Sequence, residues 1–128
     1  MNLFDSSAII NLCAERRLDP LLKGFTLSLA FYELGNAVWK QVSIHKVITI
    51  NEANIILEAL SNIYGKMRKM EIEDPQEILK IAVKENITFH DATYLYMAMK
   101  NGLTLVTDDE KLYITAKKYV KAIKSRVI

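Results

Sequence analysis

The chain has 128 residues, of which 51% are hydrophobic and 25% are charged, and this composition is typical of a globular protein rather than a disordered or fibrous one. Seventeen Lys and Arg stand against fifteen Asp and Glu, so the formal net charge is only +2. That near-balance argues against a protein that holds nucleic acid by bulk charge alone. Enzymes and interaction modules remain open, and the length favours a single domain over residues 1–128.

The sequence also argues against a membrane span, a signal peptide and a structural zinc site. The apolar runs are far shorter than the roughly 18 residues that a membrane span needs. The first ten residues contain Asp5 and no basic segment, so they do not resemble a signal peptide. The single cysteine, Cys13, fits a reducing compartment, and we expect a cytoplasmic protein without membrane contact. His45 and His90 have no cysteine partners, which argues against a structural zinc site.

In the first half of the chain, short apolar runs alternate with helical patterns. Strands are predicted at Asn2–Phe4 and Phe25–Leu29. Thr49 and Glu52 have the spacing of a capping box. Helices are predicted from Ser6 to about Arg17, from Asp19 to Gly24, from Ala30 to about Ile44, and from Thr49 to about Tyr64, where Gly65 is expected to end the last one.

The second half repeats this alternation. Asp74-Pro75 is a strong helix start, with Asp74 as the expected cap, and Asn101-Gly102 is expected to end a later helix. The predicted strands are Arg68–Ile72, Leu103–Val106 and Tyr119–Ile123. The predicted helices run from Asp74 to about Glu85, from Thr88 or His90 to Asn101, and from Asp109 to about Lys118.

This order of elements predicts the fold class. Strands that alternate with helices favour an α/β domain with a mostly parallel central sheet. Right-handed crossovers place helices on both faces of such a sheet. We therefore expect a three-layer α/β/α sandwich with short strands.

Acidic residues follow the predicted strands at the places where ligands bind in open parallel sheets, outside the carboxyl ends of the strands. Asp5 directly follows the first strand, and Asp108 and Asp109 follow the Leu103–Val106 strand. Glu33 lies shortly after the second strand, in the first turn of the next predicted helix. Asp91 lies in the first turn of its predicted helix. Each alone is an ordinary turn or cap residue, but apolar neighbours anchor each one near the edge of the core.

Four or five carboxylates that converge on one cleft repel one another, and their pKa values rise unless a cation neutralises them. Oxygen ligands without paired His or Cys suit Mg²⁺ or Mn²⁺. The sequence therefore predicts a site for a divalent metal ion.

Four segments together resemble the PIN-domain nuclease family and, within it, the VapC-type toxins of prokaryotic toxin–antitoxin pairs. The segments are Leu-Phe-Asp5-Ser-Ser-Ala, Ala-Phe-Tyr-Glu33-Leu-Gly-Asn-Ala, Phe-His-Asp91-Ala-Thr-Tyr-Leu and Val-Thr107-Asp108-Asp109-Glu-Lys-Leu. They occur in the family's order and extend from Asn2 to Leu112.

The resemblance implies an α/β/α sandwich that cleaves RNA endonucleolytically with Mg²⁺ or Mn²⁺. It implies Asp5, Glu33, Asp91 and Asp109 as catalytic residues, with Asp5, Asp91 and Asp109 as the metal ligands. Asp108 is the alternative fourth acid. Lys111 stands where many relatives have a further acid, which puts a second metal site in doubt. Thr107 and Ser6 match the small hydroxyl positions of the family, and Asn36 lies one helical turn beyond Glu33 as a further candidate for support.

The implied partners are an RNA substrate, an antitoxin protein and a second copy of the chain. Outside the five candidate acids, ten acids face seventeen basic residues, which suits a polyanionic substrate. Phe31, Trp39, Tyr94 and Tyr96 are expected in the core or in a dimer interface. Two alternatives stay open: a catalytically degenerate interaction module of the same fold, and a phosphoacceptor receiver domain, which fits worse because its paired acids would come early in the chain.

Overall fold

The computed structural model describes all 128 residues and contains five strands and seven α-helices. The strands are β1 (Asn2–Phe4), β2 (Phe25–Leu27), β3 (Arg68–Met70), β4 (Thr104–Val106) and β5 (Ala122–Ile123). The helices are α1 (Ser6–Ala14), α2 (Asp19–Lys23), α3 (Leu29–Ser43), α4 (Ile50–Lys66), α5 (Pro75–Glu85), α6 (Phe89–Asn101) and α7 (Glu110–Ala116), and a 3-10 turn at Ser125–Val127 follows β5.

The sheet has the order β3-β2-β1-β4-β5, and every pair of neighbouring strands is parallel. The first strand of the chain is therefore the central one, with Leu3 in register with Phe25 on one side and with Leu105 on the other. Because all strands point the same way, their carboxyl ends form one edge of the sheet. The order differs from the 2-1-3-4-5 order of receiver domains, which excludes the receiver alternative.

Two apolar cores cover the two faces of this sheet and confirm the three-layer prediction. Consecutive residues of a strand point to opposite faces, so Leu3 belongs to one core and Phe4 to the other. The Leu3 core contains buried residues of α5, α6 and α7, and the Phe4 core contains those of α1, α2, α3 and α4.

Caps fix several helix ends where the sequence predicts them. The Thr49 hydroxyl accepts a hydrogen bond from the Glu52 N–H at 3.1 Å, and the Glu52 carboxylate accepts one from the Thr49 N–H at 3.0 Å. The N-cap of α6 is Thr88 rather than His90, because the Thr88 hydroxyl accepts the Asp91 N–H. Gly102 ends α6 in the left-handed conformation, with φ of 64°.

Some predicted boundaries were wrong for local reasons. The second strand ends at Leu27 rather than Leu29, because Ser28 already has helical backbone angles. The first helix ends at Ala14, and Arg16 then adopts a left-handed conformation. Gly65 does not end α4, because the helix continues to Lys66. The low helix propensity of glycine, worth about 1 kcal/mol relative to alanine, is overridden there.

The later boundaries also differ. The third strand ends at Met70, and the last helix ends at Ala116 rather than Lys118. The final strand is only Ala122–Ile123, because the N–H groups of Tyr119 and Val120 close a turn on the Ala116 carbonyl. Asp74 precedes Pro75 as predicted, but its side chain does not cap α5.

One close approach in the sheet requires a glycine. A Cβ at Gly24, just before β2, would lie 2.4 Å from the Phe4 ring and 2.9 Å from the Asn2 carbonyl oxygen. Any larger residue would force β2 away from β1.

No helix of the chain combines the length and the hydrophobicity that a membrane span needs.

Candidate active site

Asp5 is the most buried of the predicted site acids, with only 4% of its surface exposed. It follows β1 directly and is the N-cap of α1, where its Oδ1 accepts the Ala8 N–H at 3.0 Å. The Ser7 hydroxyl donates to the same oxygen at 2.6 Å, and the Thr107 hydroxyl donates to Oδ2. Burial nevertheless dominates and raises the Asp5 pKa from an ordinary value of 3.8 to about 7.

Thr107 connects the two central strands of the site. It is fully buried at the end of β4, where its hydroxyl donates to Asp5 and accepts the Asp109 N–H at 3.1 Å. The Ser7 hydroxyl lies 3.4 Å from the Thr107 hydroxyl and accepts the Asp108 N–H at 2.9 Å. These bonds fix the turn after β4 against Asp5.

Glu33 lies on α3 at the same edge of the sheet. Because α3 begins at Leu29, Glu33 falls in its second turn rather than the first turn that the sequence indicated. Its Oε1 accepts the Tyr94 hydroxyl at 2.9 Å, and its Oε2 lies 3.9 Å from Nδ1 of His90. Burial raises the Glu33 pKa, Asp91 adds repulsion, and the bond from Tyr94 and the ring of His90 oppose the rise.

Asp91 and Asp109 lie close enough for their charges to interact, although Asp109 is exposed and Asp91 is half-buried. Asp91 is in the first turn of α6, as predicted, and Asp109 is the N-cap of α7, where its Oδ1 accepts the Leu112 N–H at 2.8 Å. Burial raises the Asp91 pKa, and the negative charge of Asp109 raises it further. The hydroxyl of Thr88 and the charges of His90 and Lys111 act in the opposite direction.

Asp108 has a different environment from the other acids. Its Oδ1 accepts the Ser125 N–H at 2.8 Å, and its Oδ2 accepts the Ser125 hydroxyl at 2.5 Å and the Asn11 amide at 2.7 Å. Burial would raise its pKa, but these donors outweigh burial and lower it. Asp108 thus ties Ser125 to α1, and Asp109 is the acid whose charge acts on Asp91.

Ser6 and Asn36, the other two predicted supporting residues, line an open cleft of about 700 Å³ beside Glu33. The Ser6 hydroxyl forms no hydrogen bond with the Asp5 carboxylate; it lies by Glu33 and lowers the pKa of that carboxyl slightly. Asn36 is exposed one turn beyond Glu33. The small hydroxyl residue that holds Asp5 is therefore Ser7, its neighbour in the sequence.

Three of the four acids each raise the pKa of a neighbouring acid in the pocket. Glu33 raises the pKa of Asp5, Asp91 raises that of Glu33, and Asp109 raises that of Asp91. No Lys or Arg forms an ion pair with any of them, and His90 is the one basic partner within 4 Å. This uncompensated set of oxygen donors has the chemistry that Mg²⁺ and Mn²⁺ prefer.

The acids do not form a closed metal centre as they stand. No group of three His, Cys, Asp or Glu side chains has the mutual geometry that holds a metal ion. Asp5 has both oxygens occupied by hydroxyl and N–H donors, and Asp109 points one oxygen to the backbone of its own helix. Coordination at this pocket therefore requires side chains to turn.

Sequence reasoning missed three contributors to the site. Ser7 was passed over in favour of Ser6, although the N-terminal Ser-Ser pair offered both. Tyr94 was assigned to the core or an interface; it is buried, but its hydroxyl serves Glu33. The contact of Ser125 with Asp108 had no signal, because it joins residues that lie 17 positions apart through β5. Of the other aromatic residues, Phe31 and Trp39 are half exposed rather than core.

The fold is that of PIN-like α/β/α proteins, and comparisons with known proteins agree. The chain is 34% identical over 119 residues to Exonuclease VapC9 of Pyrobaculum aerophilum, which covers 90% of this chain and 85% of that protein. It is 32% identical over 103 residues to Ribonuclease VapC3 of the same organism, with 77% and 76% covered. No family model matches the chain.

Solved structures show the same architecture. The crystal structure of PAE2754 from Pyrobaculum aerophilum superposes with a TM-score of 0.85 at 31% identity and covers 98% of this chain and 91% of that one. The structure of FitAB bound to the IR36 DNA fragment gives a TM-score of 0.64 at 17% identity, over 98% and 95% of the two chains, and shares the fold. The chain belongs to the VapC family of PIN-domain proteins.

Proposed function

We propose that the protein is a Mg²⁺- or Mn²⁺-dependent ribonuclease that hydrolyses phosphodiester bonds within RNA chains. The observation that carries the proposal is the pocket at the carboxyl edge of the sheet, where four carboxylates come from four separate segments and none forms an ion pair with Lys or Arg. Burial, and then the charge of a neighbouring acid, raises the pKa values of Asp5, Glu33 and Asp91 there. The two VapC relatives, named an exonuclease and a ribonuclease, support nuclease chemistry.

Asp5, Asp91 and Asp109 are the residues that would hold the ion. Their oxygens are hard ligands, and a cation would relieve the repulsion that now raises the Asp91 pKa. A bound divalent ion supplies neutralisation of the phosphoryl oxygens and a more acidic water. Binding requires Asp5 in its ionised form, so affinity should rise with pH through the Asp5 pKa of about 7.

The remaining side chains orient the acids and accept a proton. Ser7 and Thr107 hold the two oxygens of Asp5 in a fixed plane. Glu33 is our candidate general base, because burial raises its pKa toward neutrality, where a carboxylate accepts a proton from water more readily. Tyr94 orients Glu33 through its hydroxyl.

The biological role that we propose is that of a toxin in a toxin–antitoxin pair, acting in the cytoplasm as a homodimer. Membership of the VapC family supports the toxin role. An antitoxin segment that covers the acidic pocket would need basic residues to compensate its charge. The half-exposed Phe31 and Trp39 on α3 offer apolar area for a protein partner.

Cleavage of two forms of one RNA tests the enzymatic proposal. The purified protein should cut both an end-labelled linear RNA and a circular RNA in Mn²⁺ or Mg²⁺, and neither in EDTA. Cutting of the linear form alone would show exonuclease action and overturn the endonucleolytic part. Absence of metal-dependent cutting of either form would overturn the proposal as a whole.

A catalytically degenerate interaction module is the second candidate, and the lack of a preformed three-ligand centre favours it. The two candidates differ in metal binding. Calorimetric titration with Mn²⁺ at pH 8 should show saturable binding for a nuclease and none at millimolar concentrations for a degenerate module. Asp5→Asn provides the matched control, because the amide keeps the shape of the side chain but removes its charge.

A further inference from the structure

The cleft beside Glu33 extends well beyond the acidic pocket. α3 forms one whole wall of it through residues that recur at helical spacing: Leu29, Tyr32, Glu33, Asn36, Ala37 and Lys40. At 1.5 Å per residue, Lys40 lies about 10 Å from Glu33 along the helix axis. The cleft is therefore longer than the attack on a single phosphate requires.

Three polar side chains on this wall have no hydrogen-bond or ion-pair partner in the protein. Tyr32 is 73% exposed, and its hydroxyl forms no hydrogen bond within the chain. Asn36 is exposed with a free amide, and Lys40 takes part in none of the ion pairs. Other lysines, such as Lys100 and Lys118, are paired with carboxylates.

The Tyr32 ring is also held in place despite its exposure. It packs edge-on against Phe31, with 5.2 Å between the ring centroids, and Phe31 packs in turn against Tyr64 at 5.9 Å. A ring that is already ordered loses little conformational freedom when a planar ligand stacks on it.

We infer that this wall of the cleft binds the unpaired nucleotides of an RNA strand beside the scissile phosphate, with a base stacked on Tyr32, its edge read by Asn36 and a backbone phosphate bound by Lys40. Unpaired bases stack on aromatic rings and are read by amide groups, and lysine neutralises their phosphates. The wall changes from acid at Glu33 to cation at Lys40, which suits a strand that passes from a metal-assisted centre to a charged support. The inference rests on the proposed function, since it names where that substrate lies.

A protein partner is the competing occupant of this region. Tyr32 and Asn36 form the ridge between the cleft and a second groove of about 330 Å³, which Phe31, Trp39 and Leu57 line. That second groove is apolar and carries no cation, so it suits a protein segment, whereas the cleft with Lys40 and His90 suits a polyanion.

The test is the binding of a fluorescein-labelled oligouridine, followed by anisotropy in EDTA, with the intact length of the probe checked on a gel. Tyr32→Ala should weaken binding by at least about fivefold, and Tyr32→Phe should restore it, because the ring rather than the hydroxyl stacks. Lys40→Gln should weaken binding and reduce the slope of log affinity against log salt by about 0.7, the contribution of one phosphate on a single strand.

The controls separate this inference from folding and from the proposed function. Lys84→Gln, an exposed and unpaired lysine on α5, should leave binding and its salt dependence unchanged. In Mn²⁺, Tyr32→Ala should raise KM more than it lowers kcat, because Tyr32 binds substrate and does not take part in the chemistry.

Three outcomes overturn the inference. The first is a parent protein that does not bind the probe, and the second is Tyr32→Ala that binds like the parent. The third is Trp39→Ala that weakens binding while Tyr32→Ala does not, which would place the ligand in the second groove. If the probe binds through Tyr32 but no metal-dependent cleavage occurs, the binding site stands and the nuclease proposal fails. If cleavage occurs and Tyr32→Ala changes neither affinity nor KM, the nuclease proposal stands and the binding site on α3 is wrong.

Discussion

Two tyrosines on α6, two positions apart, mark two regions that treat carboxylates in opposite ways. Tyr94 donates to Glu33 in the pocket, where burial raises the carboxyl pKa and no Lys or Arg is in contact. Tyr96 donates to Asp74 on the surface, where Lys100 also binds the carboxylate and, with Tyr96, lowers its pKa. The same helix thus supports one acid that is neutralised by the protein and one that is left for a ligand to neutralise.

The surface pattern recurs at Glu85, whose carboxylate accepts bonds from Lys118 and Tyr119 and has a lowered pKa. Satisfied acids of this kind hold segments together: Asp74, which is left-handed just before α5, is bound by Tyr96 and Lys100 of α6. The pocket acids lack such cations, and this costs the fold stability. Residues retained at such a cost are the ones to suspect of function.

The largest effect is expected from Asp5→Asn. Cleavage of RNA in Mn²⁺ should fall by at least about a thousandfold, because the central ligand loses its charge. Asp74→Asn is the matched control from the surface region: asparagine tolerates the left-handed conformation there, and cleavage should remain at the parent rate. Equal rates for Asp5→Asn and the parent would show that the pocket is not the active site.

The second prediction concerns the stability of the metal-free protein as a function of pH. Between the ordinary Asp5 pKa of 3.8 and the folded value of about 7, the folded state binds a proton that the unfolded state has released. The contribution of Asp5 to the free energy of unfolding should therefore fall as pH rises through this window, by roughly 4 kcal/mol.

Urea denaturation at several pH values measures this effect. The difference in the free energy of unfolding between the parent and Asp5→Asn isolates the contribution of Asp5. The variant should be the more stable protein at pH 8 in EDTA and lose that advantage when Mn²⁺ is added, since only the parent binds the ion. A parent whose stability relative to the variant is the same at pH 5 and pH 8 would contradict the burial of an uncompensated acid.

Asp108 and Asp109 allow the comparison to be repeated between neighbours. Asp109→Asn keeps the helix cap, because asparagine caps helices as well as aspartate does, so stability should hold while cleavage falls by at least about tenfold. Asp108→Asn should instead lower the free energy of unfolding by about 1–2 kcal/mol, through its bonds to Ser125 and Asn11, and leave the rate of the folded enzyme near that of the parent. The reverse pattern would make Asp108 the fourth acid.

The smallest effect is expected at the two tyrosines. Tyr94→Phe removes a bond that lowers the Glu33 pKa, so the acid side of the rate–pH profile should move to higher pH and cleavage at neutral pH should fall about threefold to tenfold. Tyr96→Phe should leave the profile unchanged. A profile that moves equally in both variants would remove Glu33 from the role of base.

The sequence predicted the layers, the approximate places of the strands and the gathering of the four acids at one edge of the sheet, because these follow from local patterns and from the rule that parallel strands end at one edge. It could not choose between Ser6 and Ser7, since that depends on which hydroxyl the first turn of α1 directs toward Asp5. It placed Asp74 correctly but not its partners, because Lys100 reaches it only when α6 packs against α5. Contacts through tertiary packing decide these details, and spacing alone does not contain them.

The parallel pairing of β1 with β4 has a consequence for synthesis of the chain. Thr107, which fixes Asp5, lies 102 residues downstream of it, and Asp108 is held by Ser125 later still. A growing chain on the ribosome, made at about 5–20 residues per second, carries Asp5 from the start but lacks the strand that orients it until β4 has emerged. The hydrolytic centre that we propose therefore forms only after more than a hundred residues are made, and a chain truncated before β4 would leave cellular RNA intact.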